Sequence, residues 1–367
     1  MPIYMDRHDL PGVTAKDVAE AHQKDLKIQD DYGCRAITYW FDEERQTAFC
    51  LIEAPDKGAV KAMHEHAHGL VPHQIIEVNN QVVESFLGRI EDRQVKDTNE
   101  PFIHNESAFR VILATNLKYS TAINQSLNIK DTISSRRRHE EIVRQITVKH
   151  NGREAVHNAQ CVLCSFISVS QAVMCAIEIR NSFISLNEKH FNPMAIQLGI
   201  SAGSPITENN DFFGQTIQLA KHLCYMSNSD QITLASTVVK HCSNDNLQRL
   251  EKEGAIVILN GTQENFIDQL LLIMEKSWKI EGFRLENLAQ EIGVSKSQLY
   301  RKLIALTALS PNDFVKEFRL NKAMSLLDKQ EHSISEIAYE TGFSSPSYFS
   351  KCFKKRYGIL PSLYYDI

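Results

Sequence analysis

Three histidines, His64, His66 and His68, alternate along a stretch that reads as the last turns of a helix. His64 and His68, at i and i+4, stack on one face and can both reach a single ion. His22 lies on another helical stretch in register with Val18 and Leu26, so it faces inward, and His8 ends a strand-like run. Neutral imidazole suits nickel, cobalt, copper or zinc. His8, His22, His64, His66 and His68 are therefore the metal-ligand candidates for nickel or another divalent transition metal, with a carboxylate such as Glu53 available to raise the coordination number. The plainer alternative is a satisfied core histidine at His22 and a solvated helix end at the triplet. A second set of residues is suited to a polyanion. Lys296, Ser297, Gln298, Tyr300 and Arg301 face outward if Leu299 and Leu303 face a core. Ser345, Ser347, Tyr348 and Lys351 do so if Phe349 and Phe353 point inward. Arg301 and Lys351 are the best base readers, because guanine presents paired acceptors to Arg or Lys; Lys354, Lys355 and Arg356 are placed to touch phosphate or stay solvated. Cys161 and Cys164 form a CxxC on a strand-like segment, where i and i+3 point to opposite faces, so they read as core cysteines.

The elements that must hold these residues follow from period and punctuation. Strand-like Pro2–His8 ends at the Pro11-Gly12 turn; Thr14 caps a helix with Asp17 at its third position, running to Tyr32 and stopped by Gly33. Cys34–Phe41 and Thr47–Glu53 read as a hairpin, Asp56–His68 as a helix closed by Gly69, and Ile75–Val78 as a last strand. That order is the ferredoxin-like sandwich, helices on one face of an antiparallel sheet. Residues 80–106 read as a linker, with a short helical patch at Val82–Ile90. A second α+β pattern follows: strands at Phe109–Ala114, Val162–Phe166, Ala195–Ala202 and Gln231–Thr233, with helices at Ser120–His150, Ser170–His190 and Phe213–Met226. From Phe266 onward the chain reads as all helix. There a small residue and a turn glycine, Ala289 and Gly293, recur 49 residues later as Ala338 and Gly342, with Ser310-Pro311 opening a connecting helix between them. This is a doubled helix-turn-helix, and the doubling favours DNA over an ordinary helical bundle.

The chain has 367 residues, enough for two or three domains. Hydrophobic residues make up 43% and charged residues 23%, which excludes disorder as the main state. No apolar run approaches the ~18–20 residues of a membrane helix and no basic stretch leads into an apolar one, so neither a membrane partner nor export is expected. Eight scattered cysteines fit reduced thiols in a cytoplasm. The net charge of −5 is uneven. Residues 1–100 carry 11 basic and 19 acidic side chains, and residues 275–367 carry 14 and 11, so only the C-terminal segment suits a polyanion.

Three resemblances carry further expectations. Leu285–Ala289, Ser297–Lys302, and Ile334–Ile337 through Gly342–Phe349 to Pro361–Tyr364 resemble the AraC-type DNA-binding domain, with Ala308 where a glycine is common. The resemblance implies two recognition helices entering successive major grooves of double-stranded DNA. Arg110–Thr121, His150–Glu154, Leu198–Gly203, Asp211–Gly214 and Ile217–Leu223 resemble class III nucleotide cyclases. Carried over by position, that family's two metal-binding aspartates fall on Asn116 and Gln160, its hairpin glycines on Ala159 and Cys161, and its base-contacting lysine on Val156. Its transition-state asparagine and arginine fall on Gln218 and His222. With those groups replaced no cyclase activity is expected, and the resemblance implies a dimerisation or ligand-sensing module. Pro2–His8, Pro11–Thr14, Ala21-His22, Tyr39-Trp40, Phe49–Pro55 and His64–Leu70 resemble the small nickel-binding ferredoxin-like proteins of bacteria. The expected architecture is multidomain α+β. A ferredoxin-like domain (1–79), a linker (80–106) and a degenerate cyclase-like domain (107–262) precede an all-α double helix-turn-helix domain (263–367). The expected function is a DNA-binding transcription regulator, acting as a homodimer and responding to a metal or small ligand. A nucleotide cyclase and a metal-storage protein fused to a DNA-binding domain are the alternatives.

Overall fold

A computed structural model describes residues 1–91, 106–119, 129–157, 161–189, 194–207, 211–227, 230–240, 251, 254–280, 283, 285–357 and 359–365. Gln160 and Ala159, and the expected helix start at 120–128, lie outside them. The N-terminal unit runs β1 (Ile3–Asp9), α1 (Ala15–Ile28), β2 (Arg35–Asp42), β3 (Thr47–Glu53), α2 (Lys57–Ala67) and β4 (Gln74–Val78). Its sheet is antiparallel in the order β2-β3-β1-β4. Thr14 and Asp17 form a capping box on α1, and Asp56 caps α2, so both helices start where the sequence places a short oxygen-bearing side chain. Strand alternation sorts the residues. Tyr4, Tyr39, Phe41, Cys50 and Ile52 pack under α1 and α2 with Val18, Val60 and Met63. Met5, Trp40, Phe49, Leu51 and Ile76 point to the opposite face.

That opposite face is covered. The segment read as a linker opens with α3 (Asn80–Leu87), whose Val83, Phe86 and Leu87 are buried between the first sheet and the next domain. Arg89 donates to Thr38 Oγ1 and to the Tyr39 carbonyl, and its guanidinium lies 4.9 Å from the Trp40 ring centroid. The buried Arg110 donates to the Phe86 and Leu87 carbonyls at 3.1 and 3.0 Å, satisfying the end of α3. The apolar spacing at 82–90 signalled a helix; its charged surroundings concealed that it is wedged between two sheets.

The middle unit runs β5 (Arg110–Tyr119), α4 (Ile129–Lys149), β6 (Arg153–His157), β7 (Val162–Phe166), α5 (Val169–Lys189), β8 (Met194–Gly203), α6 (Gly214–Met226), β9 (Gln231–Leu234), α7 (Ser236–Val239) and β10 (Ile256–Ile258). Its six-stranded sheet has the order β10-β9-β8-β5-β7-β6, with β9 parallel to β8 and to β10. The short edge strands β6 and β10 were not legible in the sequence. α6 lies directly on β8: a Cβ at Gly199 would come 2.1 Å from the Cys224 nitrogen.

The C-terminal helices are α8 (Gly261–Ser277), α9 (Leu285–Ile292), α10 (Lys296–Thr307), α11 (Pro311–Lys329), α12 (Ile334–Glu340), α13 (Pro346–Tyr357) and α14 (Pro361–Tyr365). Ser295 with Gln298 and Ser333 with Glu336 form capping boxes at α10 and α12, and Ser310 caps α11. Gly293 and Gly342 make the helix-turn-helix corners at φ +75° and +76°. α8 to α11 share one core with the middle sheet through Phe266, Leu270, Trp278, Leu299, Phe314 and Phe318. The second helix-turn-helix packs its own core around Leu327, Ile337, Phe349 and Phe353. No helix among the described residues is long and apolar enough to cross a membrane.

Candidate metal centre and nucleic-acid interface

Asp6 and His8, two residues apart on β1, both face the helix layer, where the last turn of α2 brings His64 and His68 and the inner face of α1 brings Asp25. His64 Nε2 meets Asp6 Oδ2 at 2.8 Å, and its Nδ1 meets Asp25 Oδ1 at 3.1 Å. His68 Nδ1 accepts the Leu70 N–H at 3.1 Å, which leaves the proton of neutral His68 on Nε2, donated to Asp25 at 3.3 Å. The 3.2 Å approach of His64 Nδ1 to His68 Nε2 is thus two donors converging on one carboxylate. His8 Nε2 lies 3.2 Å from Asp6 Oδ1 as an ion-pair neighbour out of hydrogen-bonding alignment, so this buried nitrogen makes no well-aligned hydrogen bond. Cys50, opposite Asp6 in the sheet register, donates its backbone N–H to Asp6 Oδ1 at 3.0 Å.

The charges are strongly coupled. Burial alone would raise the Asp6 carboxyl, but the His8 and His64 imidazoles outweigh it and hold the group far below the usual carboxylate range. Asp25 is lowered too, its burial offset by hydrogen bonds from His64 and His68. Burial favours a neutral His64, yet Asp6 and Asp25 prevail and push it up to about 10.

The donor set fits a transition-metal ion. Asp6, His8, Cys50 and His64 form one group of candidate ligand atoms and Asp25, His64 and His68 another, each within 4.8 Å. A cavity of about 20 Å³ bordered by His8, His22, Asp25, Cys50, His64 and His68 has room for a water-sized occupant. The buried His8 nitrogen is a ligand atom already desolvated.

Of the sequence candidates, His8, His64 and His68 are brought together. His22 borders the cavity with its ring 5.0 Å from that of Tyr39, but belongs to neither ligand group. His66 is excluded: two residues beyond His64, it points out of the helix layer, bonds the Ala62 carbonyl at 2.9 Å and stacks on Tyr32. Glu53 is excluded as well, being paired at 2.8 Å with Arg35 at the far end of β3. The sequence reading missed Asp6, Asp25 and Cys50. The signals were present, since Asp6 shares a strand face with His8 and Asp25 follows His22 by three on a helix.

On α10, Lys296, Ser297, Gln298, Tyr300 and Arg301 are exposed while Leu299 and Leu303 are buried. Gln298 also serves the Ser295 capping box, and Lys296 pairs with Glu286 at 2.6 Å. On α13, Ser347, Tyr348, Lys351 and Lys354 are exposed. Ser345 is half-buried, and its hydroxyl accepts the Tyr348 N–H at 3.2 Å, so it works first as a cap. Arg356 is not a phosphate contact. It is buried and paired at 2.5 Å with Glu317 of α11. In the middle unit, Asn116 ends its side chain 3.4 Å from that of Gln197, and His222 pairs with Asp268 at 3.2 Å. Cys164 and Cys161 pack into different apolar clusters, on opposite faces as expected.

Comparison with known proteins finds family matches toward both ends of the chain. Residues 4–78 match the family described as nickel responsive protein SCO4226-like, and residues 288–366 match a helix-turn-helix domain family. Histidine kinase P4 of Formosa agariphila is 38% identical over 108 residues, 29% of this chain and 8% of that protein. The thermoregulatory protein LcrF of Yersinia pestis is 29% identical over 159 residues, 43% of this chain and 51% of that protein. The chain thus spans about half or less of the length of these curated relatives. The crystal structure of SCO4226 from Streptomyces coelicolor is 35% identical, covering 21% of this chain and 94% of that one at a TM-score of 0.20. The chain thus joins an N-terminal segment that matches the nickel-responsive SCO4226-like family to a C-terminal segment that matches a helix-turn-helix domain family.

Proposed function

We propose that the protein is a sequence-specific DNA-binding transcription regulator whose N-terminal domain senses a divalent transition metal, nickel foremost. The observation that carries the reading is the coexistence, in one chain, of a buried carboxylate–imidazole centre and two helix-turn-helix units with exposed outer faces. The recognition helices α10 and α13 enter successive major grooves, with Arg301 and Lys351 reading bases and Lys354 holding phosphate. Asp6, His8, Cys50 and His64, or Asp25, His64 and His68, hold the metal. When bound, the metal supplies fixed positive charge and bonds that tie β1 to the helix layer.

The residues that pass the signal on belong to the same strand. Asp6 and His8 face the centre, whereas Met5 and Arg7 between and beside them face the middle unit. There Arg7 donates to the Ile206 carbonyl at 3.3 Å. A shift of β1 on one side therefore presses directly on the other. The middle unit serves as a catalytically silent coupling module: Asn116 carries no charge for magnesium, and Gln218 and His222 stand where the transition-state groups would be.

Operator selection with the purified chain, followed by DNA affinity with and without nickel and metal-content analysis, tests the reading. Selected sites whose affinity changes on nickel addition are expected. A metal-indifferent affinity overturns the sensing half, and cyclic nucleotide formed from ATP or GTP with manganese overturns the silent middle unit.

A further inference from the structure

The two groups of candidate ligand atoms meet at His64, one at each ring nitrogen, and their hydrogen bonding tells them apart. Toward α1, His64 Nδ1 and His68 Nε2 stand 3.1 and 3.2 Å from the same oxygen, Asp25 Oδ1. The Leu70 N–H occupies the lone pair of His68 Nδ1, so the proton of that ring sits on Nε2 and is given to Asp25. An unprotonated His64 Nδ1 would set its own lone pair against the same carboxylate, so it carries a proton as well. A protonated ring nitrogen has no lone pair for a metal, and this side of His64 is closed. Toward the sheet the chemistry is different. His64 Nε2 reaches Asp6 Oδ2 at 2.8 Å, and the His8 ring meets that of His64 edge-on at 5.0 Å between centroids. His8 Nε2 is buried 3.2 Å from Asp6 Oδ1 and makes no well-aligned hydrogen bond. The sheet register adds sulfur: Cys50 of β3 is the partner of Asp6 on β1, on the face that packs under the helices. One ligand atom from each of Asp6, His8, Cys50 and His64 lies within 4.8 Å of the others, and all four residues are buried. A buried imidazole nitrogen short of a hydrogen bond, between a carboxylate and a thiol, is a place for a cation.

We infer that the Asp6 carboxylate, the His8 and His64 Nε2 atoms and the Cys50 thiolate are the ligands of this centre, and that Asp25 and His68 stand outside it as positioning residues. The inference rests on the metal-sensing reading above and names which of the two groups serves it. Asp25 keeps the His64 proton on Nδ1 and so presents Nε2 as the ligating nitrogen, as carboxylates behind metal-bound histidines do. His68, its ring fixed by the Leu70 N–H, in turn holds Asp25. A thiolate among the ligands narrows the metal class. Magnesium, calcium and manganese prefer oxygen donors, whereas nickel, cobalt and zinc accept sulfur with imidazole. The histidine pair at i and i+4 on α2 thus divides its work: His64 ligates and His68 supports.

The test titrates cobalt(II) and nickel(II) into the reduced, metal-stripped full chain and follows the near-ultraviolet absorbance. A saturable thiolate-to-metal charge-transfer band is expected in the unmodified chain and is lost in Cys50→Ser. His68→Ala and Asp25→Asn are expected to keep the band at full intensity under saturating metal, with affinity roughly 10–100-fold weaker. Proton NMR of the cobalt-loaded chain supplies a readout that a merely structural role would not move. Two hyperfine-shifted, exchangeable ring N–H signals are expected, from His8 and His64, and both persist in His68→Ala. Metal bound by the unmodified chain without the band, or a band that survives Cys50→Ser, overturns the ligand assignment, and the first of these needs no variant to fold. A third ring signal that disappears in His68→Ala overturns the positioning role of His68. A chain that binds neither ion overturns the metal-sensing reading, and the centre with it.

Discussion

Asp25 receives an N–H from each of two imidazoles, and Asp6 lies between two more nitrogens, so His64 is the residue both carboxylates share. Its loss should be felt at both groups of ligand atoms. His64→Ala with His68→Ala is expected to abolish tight nickel or cobalt uptake in equilibrium dialysis, while His66→Ala, on the outer face, leaves it at the wild-type level. Retention of full affinity by the double variant would move the metal elsewhere. The same coupling sets a pH profile for the metal-stripped protein. His64, raised to about 10 from its usual 6.5, contributes stability that is complete below 6.5 and fades as the pH rises through 10. Asp6 and Asp25, depressed from 3.8, contribute above that value and lose their contribution as the pH falls. The melting temperature of the N-terminal unit in chelator should therefore peak between about pH 4 and 6.5 and decline toward pH 10; a flat profile over that range would show that the ion pairs are not formed. At the DNA face, Arg301→Ala or Lys351→Ala should each cost about 1–3 kcal/mol of operator binding and relax base preference at one position, read by competition with mutated sites. Uniform weakening across all sequences would reassign that residue to phosphate.

Local chemistry at the element boundaries explains why most of the fold could be read in advance. Thr14, Asp56, Ser295, Ser310 and Ser333 each cap the helix that follows, and the strand alternation around Met5 and Asp6 assigns both faces of the first sheet. The elements that escaped were those stabilised from outside. β10 is three residues long and exists by pairing with β9, and β6 is an edge strand beside β7, whereas α3 shows as a helical patch and only its burial between two sheets goes unread, because its partners lie on other elements. The centre shows the same limit: a histidine triplet is visible as a spacing, but Asp25 and Asp6 join it only through tertiary packing. The two helix-turn-helix corners differ in a way no spacing reveals. A Cβ at Gly293 meets nothing within 4 Å, whereas one at Gly342 would stand 2.8 Å from the Arg319 guanidinium and the Trp278 carbonyl. Gly293→Ala should thus cost only the left-handed backbone penalty, about 1–2 kcal/mol. Gly342→Ala adds a clash of about 1–3 kcal/mol and should visibly lower the thermal midpoint; equal costs in chemical denaturation would mean that the Arg319 contact yields freely.

Among the described residues, buried surfaces join the N-terminal, middle and C-terminal units. Arg319 of α11 takes the Trp278, Gly342 and Ile280 carbonyls at 3.1, 2.8 and 2.8 Å, fastening the end of α8 to the second helix-turn-helix corner. At the other joint, Arg110 and Ser165 close the α3 carbonyl end between the two sheets. The continuous core from the middle sheet into α8 and α11 has a practical corollary for anyone who would cut the chain or graft its parts. A fragment beginning near residue 263 would leave Phe266, Leu270, Phe314 and Phe318 without the sheet that shelters them. Such a patch tends to recruit other chains, so the isolated piece would be prone to self-association and its DNA affinity would report on aggregates. Exchange of reading heads between relatives is constrained in the same way. A transplanted DNA-binding half functions only with a matching underside, and surface residues that never approach DNA must change in step with those that do.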